Sequence, residues 1–149
     1  MDMGSSTDRK CKIILAEDNP GDVFLVRRAL DFHRIEYDLN VAANGEEAIL
    51  LVGKAQNGEL SIDLMLVDLN LPRYDGGQIV AAARAGTRLE KTPIIVLTSS
   101  DSPHDRYRVA QLGANLYFHK PADLNSFMDL GKLVKDCIAR ARANISMHA

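Results

Sequence analysis

The feature that most limits how this chain can fold is the apolar run from Leu64 to Val67, which leads directly into Asp68. An unbroken apolar run of this kind is typical of a strand buried on both faces in the middle of a parallel sheet. Open α/β sheets bind their ligands at the carboxyl ends of such strands. Asp68 is therefore a candidate functional residue, although an isolated aspartate at this place also suits a loop or a helix cap.

Other short segments with strand patterns, either apolar runs or, at Tyr37, Leu39 and Val41, alternating apolar residues, lie between helical patterns along the chain. Strands are predicted over 11–16, 37–41, 64–68, 93–97 and 116–118, and helices over 20–33, 44–57, 78–84, 102–113 and 123–138. Asn19, Asn44, Ser102 and Asp123 have the side chains preferred at helix N-caps. Strands that alternate with helices predict a parallel sheet covered on both faces, with right-handed crossovers. We expect an α/β fold of the doubly wound, flavodoxin-like kind, (βα)5, with a five-stranded parallel sheet in the order 2-1-3-4-5.

Composition excludes several classes of protein. The 149 residues suit one domain, with 46% apolar and 26% charged residues and a net charge of −2. Without a basic block we expect no nucleic-acid partner, and without a long apolar run or a signal peptide we expect no membrane association. Cys11 and Cys137 lack metal-ligand spacing and are predicted to be free thiols in a cytoplasmic protein. We place a flexible tail at 1–10, the domain at 11–143 and a second tail at 144–149.

The predicted strand ends carry an unusual set of polar side chains. Carboxyl ends of parallel strands meet at one edge of a sheet, and this edge would gather Glu17, Asp18, Asp68, Thr98, Ser99 and Lys120. Three neighbouring carboxylates repel one another unless a cation lies among them, and oxygen ligands without His or Cys favour Mg²⁺. The lysine ammonium can bind a phosphate group, and a hydroxyl can donate a hydrogen bond to it. The set predicts phosphoryl transfer to Asp68, giving an acyl phosphate.

Together, Glu17-Asp18, Asp68, Thr98 and Lys120-Pro121 resemble the receiver domain of two-component response regulators, over residues 12–139. The resemblance implies that Asp68 accepts a phosphoryl group from a sensor histidine kinase. It also implies that Asp18 binds Mg²⁺ directly, that Glu17 acts on the metal mostly through water, and that the backbone carbonyl of Asn70 is a further ligand. Such a domain catalyses its own phosphorylation and dephosphorylation.

The same resemblance assigns the remaining residues of the site. Lys120 is expected to contact the phosphoryl group, with the bond to Pro121 in the cis form that proline permits. Thr98 is expected to be the switch hydroxyl and Tyr117 the aromatic that turns inward behind it, while Ser99 and Ser100 flank the site. The loops also resemble those of small regulators that partner bacterial phytochromes. The sequence leaves the oligomeric state open, although receivers often form homodimers through the fourth helix, fifth strand and fifth helix.

Three alternatives remain at this point. A phosphatase of the haloacid-dehalogenase type requires Asp-x-Asp after the first strand, which Glu17-Asp18-Asn19 does not supply. A flavin carrier on the same fold requires a phosphate-binding loop where this chain has acids. A degenerate receiver would act as a scaffold without phosphorylation. Because the chain ends soon after the fifth predicted helix, we expect the output to be a partner, a second copy or onward phosphoryl transfer.

Overall fold

The structure, a computed structural model, describes residues 9–148, with side chains as far as residue 143. Most of the predicted N-terminal tail, residues 1–8, lies outside the described residues. Within the described part of the chain, no helix is both long and apolar enough to cross a membrane.

Strands and helices alternate along the chain as predicted, with one short hairpin added. The elements are β1 (Cys11–Ala16), α1 (Pro20–Phe32), β2 (Tyr37–Ala42), α2 (Gly45–Gln56), β3 (Leu64–Asp68), β4 (Asn70–Leu71), β5 (Tyr74–Asp75), α3 (Gly76–Arg84), β6 (Ile94–Thr98), α4 (Pro103–Leu112), β7 (Leu116–His119), α5 (Leu124–Phe127) and α6 (Asp129–His148). The main sheet has the order β2-β1-β3-β6-β7, with every neighbouring pair parallel. This is the predicted order 2-1-3-4-5, because β6 and β7 are the fourth and fifth strands of the sheet.

The register of the sheet brings the carboxyl ends of four strands to one edge. Ala16 at the end of β1 pairs with Val67, directly before Asp68. Asp68 in turn pairs with Leu97, next to Thr98 at the end of β6. Residues that directly follow these strands therefore lie side by side at this edge.

Both faces of the sheet are covered, which explains the apolar runs in its strands. Side chains alternate between the faces along each strand. In β3, Met65 and Val67 pack under α2, α3 and α4, whereas Leu64 and Leu66 pack under α1, α5 and α6. All of these side chains are fully buried. Asp68 is thus the last residue of a strand held from both sides.

The predicted helix starts are confirmed by the capping contacts. The side chains of Asn19, Asn44, Ser102 and Asp123 each accept a hydrogen bond from a backbone N–H in the first turn of their helix. The predicted end of α4 is also confirmed, since Gly113 lies in the left-handed region with φ 115°. Glycine adopts this conformation without the steric penalty of a Cβ atom.

The segment after β3 differs from the sequence prediction. Instead of a flexible turn leading to a helix at Gln78, Tyr74–Asp75 pairs with Asn70–Leu71 in an antiparallel hairpin, and α3 begins at Gly76. Asp75 caps the helix in a capping box, with its N–H donating to Gln78 Oε1 at 3.0 Å. A Cβ at Gly76 would collide with the backbone of Asp68, so glycine permits this close return of the chain to β3.

The C-terminal part of the chain also differs from its prediction. In place of one helix from Asp123, the structure has the short α5 and the long α6, separated at Met128. Nε2 of His33 donates to the Met128 carbonyl at 3.0 Å, so this carbonyl has a partner outside the helices. Helix α6 continues to His148, so residues 144–148 of the predicted tail are helical.

Candidate functional site

Three carboxylates meet where β1 and β3 end. Asp68 is the last residue of β3, and Glu17 and Asp18 directly follow β1, the neighbouring strand. Oxygen atoms from these side chains lie within 4.8 Å of one another. Glu17 and Asp68 are 1% and 5% exposed, whereas Asp18 is exposed. The predicted meeting of the three carboxylates in an acidic cluster is thus observed, with Glu17 and Asp68 buried and Asp18 open to solvent.

The chemistry of this acidic cluster fits a divalent cation. Burial raises the pKa of Glu17 to about 7, because the charged carboxylate loses its water. The neighbouring Asp68 contributes to this rise in the pKa, and the Lys120 ammonium partly opposes it. A bound cation would stabilise the charged carboxylates, and a set of oxygen donors suits hard ions such as Mg²⁺ and Mn²⁺.

The ammonium group of Lys120 lies against the same carboxylates. Its Nζ is 2.7 Å from Glu17 Oε1, 3.1 Å from Asp68 Oδ2 and 2.8 Å from Asp22 Oδ2. Burial alone would lower the pKa of Lys120, but its hydrogen bonds to Asp22 and Glu17 and the charge of Asp68 raise it overall. The lysine is therefore charged and points into the site.

Asp22 is a site residue that the sequence reasoning missed. It lies in the first turn of α1, directly after the loop that carries Glu17 and Asp18. An available signal was its place three residues after the N-cap Asn19, since the first helical turn stays close to the strand end that precedes it. The sequence pattern alone did not show that its carboxylate points to Lys120.

Thr98 is fully buried at the end of β6 and is linked to Asp68 through Asn70. Its Oγ1 accepts hydrogen bonds from the Ser100 N–H at 2.9 Å and from Asn70 Nδ2 at 3.4 Å. The Asn70 N–H donates to Asp68 Oδ1 at 2.9 Å. A chain of contacts thus joins the carboxylate of β3 to the hydroxyl of β6.

Tyr117 is half-buried and connects β7 to the loop that follows Thr98. Its hydroxyl donates to the Ser100 carbonyl at 3.0 Å, and the Arg106 guanidinium lies 4.3 Å from the centre of its ring. The carbonyl of Ser99 lies 3.1 Å from His119 Nε2. Both flanking serines thus belong to a loop that β7 and α4 hold in place.

The predicted cis bond between Lys120 and Pro121 is wrong, because this peptide is trans in the structure. The trans form is the ordinary isomer before proline, favoured by about 0.5–1 kcal/mol. The Lys120 N–H donates to the Thr98 carbonyl at 2.7 Å, which extends the pairing of β6 and β7. From this position the side chain reaches the acidic cluster with the trans bond.

A surface cavity of about 560 Å³ adjoins the acidic cluster. It is lined by Asp18, by the loop between β4 and β5, and by Arg108 of α4. Arg108 Nη1 is 2.9 Å from Asp75 Oδ2 and so connects α4 to the start of α3. The cavity leaves the acidic cluster accessible from outside.

Comparison with known proteins gives one family. The model described as "Response regulator receiver domain" matches residues 13–131. The response regulator Rcp1 of Synechocystis sp. is 32% identical over 126 residues, which cover 83% of each chain. The FilR2 protein of Methanothrix harundinacea, described as a probable methanogenesis regulatory protein, is 31% identical and covers 83% of this chain and 79% of its own.

Solved structures agree with this match. The phosphorylated cyanobacterial phytochrome response regulator RcpA has a TM-score of 0.76 at 29% identity, covering 86% of this chain and 93% of its own. The Mn²⁺-bound form of Rcp1 has a TM-score of 0.74 at 27% identity, covering 84% and 91%. A receiver domain from Pseudomonas aeruginosa with magnesium in its active site cleft has a TM-score of 0.70 at 27% identity, covering 88% and 99%.

Proposed function

The chain belongs to the response regulator receiver domain family, and we propose that Asp68 is its phosphoacceptor, with a histidine kinase as the phosphoryl donor. One observation carries this assignment. Asp68 lies at the carboxyl edge of the sheet, with two further carboxylates and the Lys120 ammonium around it. A site complete in this way does not favour the scaffold alternative, which needs none of these groups.

The chemistry assigned to Asp68 is nucleophilic. One of its carboxylate oxygens bonds to the phosphorus of a phosphohistidine while the phosphorus–nitrogen bond breaks. The electron pair leaves with the imidazole, which then takes up a proton. Asn70 holds Asp68 Oδ1 through its N–H at 2.9 Å, so the carboxylate is oriented before the donor arrives.

Mg²⁺ is the cation we propose, with Asp18, Asp68 and the backbone carbonyl of Asn70 as ligands and with Glu17 acting through water. When bound, the ion stabilises negative charge on the transferred group. Lys120 supplies the second positive charge, through its contacts with Glu17 and Asp68. Three acids and one lysine leave the site too negative for a phosphoryl group without such an ion.

The proposed output is a conformational switch. Phosphorylation adds an anion that attracts the Thr98 hydroxyl, which now accepts hydrogen bonds from Ser100 and Asn70. Turning this hydroxyl towards the phosphoryl group removes the acceptor of the Ser100 N–H and so changes the loop after β6. Tyr117, which donates to the Ser100 carbonyl, transmits the change to the surface. Such coupling is typically about 1–3 kcal/mol.

Likeness to RcpA, a cyanobacterial phytochrome response regulator, supports a bacterial phytochrome as the kinase. We place the protein in the cytoplasm. We also propose a homodimer through the face formed by α4, β7 and α6. This face includes Tyr107 of α4, whose side chain is exposed. Pairing would cover that apolar surface.

The test of the proposed phosphoacceptor uses a small donor, acetyl phosphate, with excess Mg²⁺. The wild-type chain should take up phosphate, and Asp68→Asn should take up none. The matched control is Asp38→Asn, which makes the same charge change at an exposed position of β2, near Lys10. Phosphate uptake by Asp68→Asn at the wild-type rate would refute the assignment.

A further inference from the structure

The Lys120 ammonium has three carboxylate partners, and one of them stands outside the acidic cluster. Glu17 and Asp68 both accept from it and also contribute oxygens to the acidic cluster with Asp18. Asp22 accepts from the same nitrogen at 2.8 Å but is not a member of that cluster. An ammonium group has three donors, so each carboxylate has one of them.

Helix α1 sets the position of Asp22, independently of the other carboxylates. It lies in the first turn of the helix, where its N–H is 3.2 Å from Asn19 Oδ1. The positive end of the helix dipole stabilises a carboxylate at this position. Its side chain is 27% exposed, against 0% for Glu17 and 7% for Asp68. Asp22 therefore lies at the mouth of the site, on a rigid support.

A divalent cation bound in the acidic cluster would weaken some of the carboxylate acceptors of Lys120 more than others. It attracts the carboxylates of Glu17 and Asp68, which weakens them as acceptors for the ammonium group. The Asp22 carboxylate remains a full acceptor for the Lys120 ammonium, because it lies outside the acidic cluster. A lysine side chain is a flexible stem that loses much rotamer freedom when its tip is fixed. Without a remaining anchor the ammonium group would move away from the reacting carboxylate.

We propose that Asp22 is a positioning residue, which holds the Lys120 ammonium beside Asp68 while a cation occupies the acidic cluster. The inference rests on the proposed function, since it names what keeps the phosphoryl-contacting lysine in place. Asp22 acts through Lys120 and has no contact of its own with the reacting carboxylate.

The first experiment measures the rate of phosphoryl uptake from acetyl phosphate at saturating Mg²⁺. Asp22→Asn keeps the size of the side chain and removes its charge. The rate should fall roughly three- to tenfold, the effect of losing one charge-assisted hydrogen bond at a partly exposed place. Asp22→Glu should recover part of the rate, because it restores the charge. Asp38→Asn is the matched control and should behave as wild type.

A second experiment separates positioning from a general structural effect. In a Lys120→Met background, Asp22→Asn should cause no further loss of rate, because the group that Asp22 holds is gone. Equal losses in both backgrounds would show that Asp22 acts on the fold, and would overturn the inference. The double-mutant cycle measures the coupling between the two residues directly.

A third experiment needs no phosphoryl transfer. Ammonium protons of Lys120, followed by ¹⁵N NMR with and without Mg²⁺, should exchange slowly with water in the wild type and faster in Asp22→Asn. The proposed function and this inference can therefore fail separately. A wild type that takes up no phosphate contradicts the function alone. Wild-type uptake and wild-type proton exchange in Asp22→Asn overturn the role of Asp22.

Discussion

Replacing Lys120 with methionine tests the electrostatic description of the site. The substitution keeps an unbranched stem and removes the charge that lies 2.7 Å from Glu17 and 3.1 Å from Asp68. Both carboxylates are buried, so without Mg²⁺ the variant must either keep negative charge inside the protein without compensation or take up a proton there.

The expected loss follows from the exposure of the groups. Removing one partner of a buried ion pair costs about 3–5 kcal/mol. The lysine side chain is 10% exposed and the Asp22 side chain 27% exposed, so the site is partly hydrated and the lower limit applies. Without Mg²⁺ we expect the free energy of unfolding to fall by about 3 kcal/mol. For a domain of this size that lowers the melting temperature by roughly 6–12 °C.

The assay is thermal unfolding with a chelator and again with excess Mg²⁺. A ligand that binds only the folded state stabilises it, and the ion compensates for more charge in the variant. Mg²⁺ should therefore raise the melting temperature of Lys120→Met more than that of the wild type. Lys91→Met, at an exposed lysine, is the matched control and should change stability by less than about 0.5 kcal/mol. A Lys120→Met variant as stable as this control without Mg²⁺ would refute the reasoning.

Three further predictions concern other groups. Since burial raises the pKa of Glu17 to about 7, the folded metal-free protein binds more protons than the unfolded chain between its ordinary pKa of 4.5 and about 7. The free energy of unfolding should then fall as pH rises through this window; denaturant titrations that show a rise would contradict this. Thr98→Ala should still take up phosphate but should lose about 1–3 kcal/mol of the coupling to partner binding, measured by calorimetry with and without phosphorylation. Burial raises the pKa of Cys11 to about 12, so Cys137 should react first with a thiol reagent in the folded protein; equal rates would count against this.

The sheet could be predicted from the sequence because two features indicate its strands: the pattern of apolar residues within them and the turn or cap residues at their ends. Apart from β2, where apolar and polar residues alternate, each strand is an apolar run bounded by turn or cap residues, as with Asn19 after β1 and Gly113 before β7. Once the strands were placed, the rule that parallel strands end at one edge brought Glu17, Asp68 and Thr98 together. The structure confirms this placement. Because both faces of the sheet must be buried, few other arrangements of the strands are available.

Features that depend on tertiary contacts could not be predicted in this way. The hairpin of β4 and β5 has only two residues in each strand, too few for a pattern of alternation. The break at Met128 coincides with a contact to His33, which lies in a distant part of the chain. The place of Asp22 beside Lys120 depends on how α1 packs on the sheet. Local sequence patterns indicate the first-turn position of Asp22 but not its contact with Lys120, and they do not indicate the contact of His33 with Met128.

Locating the phosphoryl group on the protein tests the central claim most directly. Wild-type protein is treated with acetyl phosphate and Mg²⁺, and borohydride then reduces any acyl phosphate to an alcohol, which marks the modified residue for peptide mass spectrometry. We expect Asp68 alone to be converted to homoserine. Conversion of Asp18, Glu17 or Asp22 in its place, or phosphate found only on a serine, threonine or histidine, would contradict it.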